Sequence, residues 1–135
     1  MTKKLAIVLR SLETGGAERQ AIELAKKINK NDFKTKIICF YSNGGLITEA
    51  KNSGIDLIFL DKKSRYDIFC FLFKLKKQLD DYKPDLVHTF LDSPNIILGI
   101  FKFFGYQFNL IWGIRSSHME LSEYTFFRKI SSKLE

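Results

Sequence analysis

The sequence predicts an α/β domain organised as a doubly wound parallel sheet of about five strands. Three observations carry this prediction. Short apolar runs alternate with helix-length amphipathic stretches along the chain. The runs LAIVL, TKIICFY, IDLIFL, DLVHTF and NLIWGI are apolar almost throughout, as strands covered on both faces must be. Joining such strands through helices produces successive right-handed βαβ units. At 135 residues, 45% apolar and 14% aromatic, the chain has room for one domain with a real core, and it shows no repeat, low-complexity tract or linker.

The first strand is LAIVL. From Ala17 onward, Ala21, Ile22, Leu24, Ala25 and Ile28 recur at helical spacing, opposite Arg19, Gln20, Glu23, Lys26 and Lys27. The second strand, TKIICFY, ends at SNGG, and LITEAKNSG is a short helix stopped by Gly54. IDLIFL is the third strand. A long helix is expected over 66–81, broken at Lys83-Pro84. After DLVHTF, Ser93 and Pro94 read as a capping side chain followed by proline in the first turn, with the helix running to about Phe104 and stopping at Gly105. NLIWGI is the fifth strand, and a last helix is expected after Glu120.

Cys39 and Cys70 lie in apolar runs and read as buried thiols of a reducing compartment, with neither disulfide nor metal spacing. No metal site is expected. The apolar part of the amino-terminal segment is only Leu5 to Leu9, too short for a signal peptide, and no run approaches a membrane span. A cytoplasmic location is expected, with attachment to one side of a membrane left open. The net charge of +7 favours anionic partners. The aromatics lie mainly in apolar runs without a stacking pattern, so no nucleic-acid partner is expected. Residues 134–135, Leu-Glu, have the look of a cloning scar, and the chain stops within an expected helix, as a cut fragment would.

In a parallel sheet, ligands bind beyond the carboxyl ends of the strands. The loops on that edge are expected at 10–16, 41–45, 61–65, 90–95 and 113–117. The first carries Gly15 and Gly16 at the mouth of a helix, where backbone N–H groups and the helix dipole favour an anion. A tight turn is the competing explanation for the pair. The dinucleotide fingerprint G-x-G-x-x-G and the G-K-[ST] phosphate loop are both absent.

GGAERQ after the first strand, PDLVHTF at the fourth and IWGIRSS at the fifth resemble the amino-terminal domain of glycosyltransferase family 4, with Gly54–Asp56 fitting before the third strand. The resemblance spans essentially the whole chain, residues 1–133. It implies one Rossmann-like half of a GT-B architecture, in which a nucleotide-sugar donor gives its sugar, with retention, to a glycan or lipid-linked acceptor. The donor nucleotide and a pair of glutamates belong to a second domain, so this half alone is expected to be inactive. It further implies that Gly15 and Gly16 approach the donor diphosphate while also forming the turn, and that cell-surface polysaccharide is the product. No cofactor beyond the nucleotide-sugar co-substrate is expected.

Arg115 stands where many relatives carry histidine. An arginine stays protonated and cannot act as a general base, but it can grip an acceptor phosphate or the leaving diphosphate with two N–H groups, a surface ion pair being the competing explanation. His88, on the fourth strand beside Leu86 and Phe90, is a candidate catalytic residue or a core histidine. Asp92, Ser93, Asn95 and Ser116 are candidate acceptor-binding residues. In the 66–81 helix, Ile68, Phe71, Leu72, Leu75 and Leu79 can fill a core stripe, leaving Phe69 and Phe73 on another face beside Lys74, Lys76 and Lys77. That combination fits contact with an anionic membrane surface, the inner face of the plasma membrane, against a wide core face or a domain interface. The alternative to a transferase half is a self-contained module holding a phosphate-bearing partner without chemistry.

Overall fold

A computed structural model of the chain describes residues 2–28, 30–64 and 66–114. The elements are β1 (Lys3–Leu9), α1 (Gly16–Lys27), β2 (Phe33–Cys39), α2 (Ile47–Asn52), β3 (Asp56–Phe59), α3 (Ile68–Tyr82), β4 (Leu86–Phe90), α4 (Asp92–Phe103) and β5 (Asn109–Gly113). All strand pairs are parallel, in the order β3-β2-β1-β4-β5. This is the doubly wound, Rossmann-like sheet that the alternation of runs predicts. Arg115, Ser116, Ser117 and the helix expected after Glu120 lie outside the described residues.

Strand alternation divides the core into two layers. Leu5, Ile7, Leu9, Ile37 and Cys39 face α1 and α2, where Ala17, Ala21, Ile22, Ala25 and Ala50 pack on them. Ala6, Val8, Ile38 and Val87 face α3 and α4, covered by Phe71, Leu75, Leu79 and Leu98. The small residues of α1 let its backbone approach the sheet, while the large ones of α3 fill a wider gap. Burying each of the α3 side chains is worth about 1.5–3 kcal/mol. Tyr82 anchors the end of α3 by donating its hydroxyl to the Lys34 carbonyl at 2.6 Å.

Helix ends follow the sequence in part. Gly54 (φ 71) and Gly105 (φ 95) adopt left-handed conformations just beyond α2 and α4, which glycine reaches without a side-chain penalty. Lys83 (φ 49) does the same for α3 without being a glycine. The expected start of α4 is corrected. The helix begins at Asp92 with Leu91 as its cap residue, and no side chain caps it. The chain passes from β4 to α4 through Leu91 alone, which leaves Ser93 inside the first turn. Pro94 fits there because first-turn N–H groups have no intrahelical acceptor.

Two expectations about α3 also change. The helix starts at Ile68, whose side chain is half exposed, so the core stripe is Phe71, Leu75, Leu79 and Tyr82, with Leu72 partly buried. Cys70 is exposed whereas Cys39 is buried. The apolar run around Cys70 belongs to the first turns of α3, which are apolar on their outer side as well, so neighbouring hydrophobic residues gave no guide to its burial.

The carboxyl edge of the sheet is built from loops that lean on one another. Gly44 (φ 140) sits where an added Cβ would lie 2.1 Å from the Leu12 carbonyl carbon and oxygen, and one on Gly45 would lie 2.8 Å from Thr14 Oγ1. The Leu46 N–H donates to the Leu12 carbonyl at 2.9 Å, and Asn43 Nδ2 donates to Glu13 Oε1 at 3.1 Å. The SNGG stretch therefore does more than end β2: its glycines allow the turn to press against the loop that carries Gly15 and Gly16.

Gly44→Ala combines a backbone clash with a positive φ and is expected to lower stability by about 2–4 kcal/mol in urea denaturation. Burial pushes the Cys39 thiol up to about 12, and a buried thiol reacts slowly because the thiolate is the nucleophile. Alkylation at neutral pH should therefore label Cys70 in the folded chain and reach Cys39 only after denaturation, as read by peptide mass mapping.

Candidate functional site

After β1 the chain moves outward to β2 and β3, and α3 then returns it to β4 on the other side of β1. The crevice between the ends of β1 and β4 is thus the topological switch point, where the loops diverge and leave room for a ligand. The amino-terminal ends of α1 and α4 both open there.

At α1, Gly15 is the cap residue, with φ −144° and ψ 167°. This is extended backbone that any residue adopts, and Gly16 does not have a positive φ either. Neither position therefore requires glycine for its backbone conformation, although Gly15 stands at the cap of α1, where glycine is a favoured residue. An added Cβ on Gly16 would meet nothing within 4 Å, whereas on Gly15 it would meet the Glu18 carboxylate, 2.3 Å from Oε2. The first intrahelical bond runs from the Arg19 N–H to the Gly15 carbonyl at 3.1 Å, so the N–H groups of Gly16, Ala17 and Glu18 precede it. A carboxylate at this end of a helix is favourable to the dipole. Glu18 thus rests beside the place where an anion would approach, on a side chain free to swing aside.

Two cations from other loops reach the same edge. The Arg10 guanidinium lies 5.6 Å from the Tyr41 ring centroid and Lys62 Nζ 5.4 Å from it, while Lys62 donates to the Tyr41 hydroxyl at 3.2 Å. The sequence separates these residues by about thirty and twenty positions, and only the parallel sheet brings their loops together.

At α4, Leu91 holds φ 69°, a costly conformation for a branched side chain. Its N–H donates to the Gly113 carbonyl at 3.1 Å. The Thr89 hydroxyl contacts the Asn95 side-chain oxygen at 2.5 Å and the Ile111 carbonyl at 3.2 Å. Asn95 is buried and committed to this brace, whereas Asp92 and Ser93 are exposed on the crevice. Both the Leu91 conformation and the brace escape the sequence, which shows only an unremarkable leucine and a polar tripeptide.

His88 faces the α1 layer and stacks on Phe90 with ring centroids 4.3 Å apart. It lines a cavity of about 420 Å³ with Gln20, Leu24, Phe90, Gly113 and Ile114. A Cβ on Gly113 would lie 2.8 Å from the Thr89 carbonyl and 3.5 Å from His88 Nε2. Glycine is thus required at 113 by close approach, a signal present in the WGI triplet but legible only once β4 and β5 are paired. His88 and the glycine loop share this end of α1, since Gln20 lies one turn beyond Gly16. Among the described residues, no three His, Cys, Asp or Glu side chains come together as metal ligands.

The family model for Glycosyltransferase Family 4 matches residues 14–129. Over 101 residues the chain is 30% identical to the Campylobacter jejuni enzyme GalNAc-alpha-(1->4)-GalNAc-alpha-(1->3)-diNAcBac-PP-undecaprenol alpha-1,4-N-acetyl-D-galactosaminyltransferase, covering 69% of this chain and 27% of that one. A glycosyltransferase from Rickettsia africae ESF-5 superposes with a TM-score of 0.68 at 18% identity, over 93% of this chain and 33% of the other. Phosphoribosylglycinamide formyltransferase from Brucella melitensis superposes at 0.58 and 14% identity, over 98% of this chain and 68% of its own. The sheet is therefore shared with enzymes of different chemistry, and the fold alone does not select one. The chain spans about a quarter of the Campylobacter relative and a third of the Rickettsia structure. On the family match across most of its length, the chain belongs to glycosyltransferase family 4, with the Rossmann-like architecture of one half of a GT-B fold.

Proposed function

We propose that this chain is the acceptor-side half of a retaining glycosyltransferase. The complete enzyme moves a sugar from a nucleotide donor to a glycan or lipid-linked acceptor in cell-surface polysaccharide biosynthesis. A second domain grips the donor nucleotide and supplies paired glutamates. The observation that carries this reading is the glycine pair at the switch point. Neither glycine is demanded by backbone conformation, so their lack of side chains is explained by what must come near. The negative charge that grows on the diphosphate as the glycosidic bond breaks would meet the first N–H groups of α1, which are fixed in place before the reaction. Arg10 and Lys62 add positive charge to the same edge.

The acceptor is assigned to the crevice between α1 and α4. Asp92 and Ser93 are exposed there and suit sugar hydroxyls, Asn95 holds the loop through Thr89, and His88 lines the cavity beneath. Arg115 and Ser116 keep the roles their sequence positions imply, Arg115 gripping a phosphate and Ser116 an acceptor hydroxyl. The undecaprenol-linked substrate of the Campylobacter relative favours a lipid-linked acceptor here.

The test uses the enzyme carrying both halves. Gly16→Val meets open space, so stability should change by less than about 1 kcal/mol. Nucleotide release with acceptor present should fall about 100-fold, the scale of losing one fixed donor to a developing charge. Unchanged turnover with an intact fold would remove the diphosphate from this loop. Nucleotide binding by this chain alone, with no transfer by the two-domain protein, would favour the non-catalytic module instead.

A further inference from the structure

The edge of the sheet opposite the glycine loop carries a cavity of its own. It has a volume of about 600 Å³ and lies between the end of α1, the turn after α2 and the starts of β1 and β2. That volume is in the range that holds a small ligand. Ala25, Ile28, Phe33 and Ile55 supply its apolar wall. The last three are only partly buried by the core they pack on, which leaves apolar surface for a ligand to cover. α1 has twelve residues and is therefore about 18 Å long, with Gly16 at the ligand edge and Lys26 at this cavity. The two places are separate.

Charge and one orphaned hydroxyl identify the kind of ligand. Lys4, Lys26, Lys30 and Lys34 line the cavity against a single carboxylate, Asp56. Asp56 is already countered by Lys36 at 3.7 Å, and Lys26 pairs with Glu23 and Glu49. Lys4 Nζ lies 5.6 Å from the Tyr82 ring centroid. Lys30 and Lys34 are exposed, and neither enters an ion pair among the described residues. Their charge is left for an anion. Thr35 also lines the cavity, and its Oγ1 is shielded from water without a hydrogen-bond partner. Shielded polar groups are nearly always paired, and leaving one unpaired costs free energy. Rotation about χ1 between staggered wells moves a threonine hydroxyl without moving the strand, so Thr35 can turn to a ligand that offers an acceptor.

We propose that this cavity is a second binding site, and that it takes a small phosphate monoester with an apolar body. The phosphate meets the ammonium groups of Lys30 and Lys34 and accepts the Thr35 hydroxyl, as charge-assisted hydrogen bonds. The apolar body rests on Ile28, Phe33 and Ile55. This inference does not depend on what the ligand edge binds.

Titration of the ¹⁵N-labelled chain with phenyl phosphate, read by amide NMR shifts, tests it, with phenol and inorganic phosphate as the two halves of the probe. Phenyl phosphate should shift the amides of residues 33–35 and 53–56 and bind more tightly than either half, less so as salt rises. Lys30→Glu combined with Lys34→Glu should weaken its binding more than about tenfold, in a chain whose spectrum shows the fold intact. Thr35→Val should weaken it about tenfold while raising the urea midpoint of the unliganded chain, because an unpaired hydroxyl is removed. That pair of opposite effects is not expected of a residue that serves the fold alone. No shift with phenyl phosphate, or shifts confined to the first turn of α1, would overturn the proposal. So would binding no tighter than that of inorganic phosphate, unchanged affinity in either variant, or a lower midpoint for Thr35→Val.

Discussion

β1 is paired on both edges, to β2 and β4, and covered on both faces, and the other elements take their positions from it. Its residues from Leu5 to Leu9 are almost wholly excluded from water. A strand in that position must be apolar at every residue, and its backbone groups must be satisfied by neighbours on either side. Because the chain leaves β1 in one direction and returns on its other side, the loops after β1 and β4 cannot close over one another. The crevice is a consequence of how the central strand is paired.

Loop contacts convert that crevice into a shaped edge. The Gly44–Gly45 turn presses on Leu12 and Thr14, which fixes the approach to α1, and Thr89 ties Asn95 and β5 to the end of β4. The cost of this arrangement appears at Leu91, held at a positive φ where the shortest connection in the fold joins β4 to α4. Glycines at 44 and 113 are explained by backbone approach and those at 54 and 105 by left-handed helix ends, whereas Gly15 and Gly16 have neither a positive φ nor a close backbone neighbour. That contrast is what the proposed diphosphate role of the pair rests on.

The two layers also differ in their outer sides. α1 is a conventional amphipathic helix whose outer ion pairs, Lys26 with Glu23 and Glu49, lower the Glu23 carboxyl and raise the Lys26 ammonium from their ordinary values. Such exposed pairs contribute little to stability. They mark the face that meets water. α3 and α4 instead retain large apolar groups outside as well as inside. The same excess of hydrophobic residues hid the exposure of Cys70 and Ile68, since periodicity locates a core face only where the opposite face is polar.

By itself the sequence determined the number of strands and their succession along the chain, the parallel sheet and the stops at Gly54 and Gly105. Runs apolar on both faces can satisfy their burial in few other ways, and a left-handed residue beyond a helix selects glycine locally. It also placed the glycine pair on the ligand edge. Tertiary structure decided which residues share that edge. Arg10, Tyr41 and Lys62 meet because parallel pairing sets their strands side by side. Asn95 turns inward because Thr89 awaits it, and α4 begins one residue before its Ser-Pro signal because a single residue bridges it from β4. Each of these depends on distances between segments far apart in the chain, and no local pattern of side chains encodes such a distance.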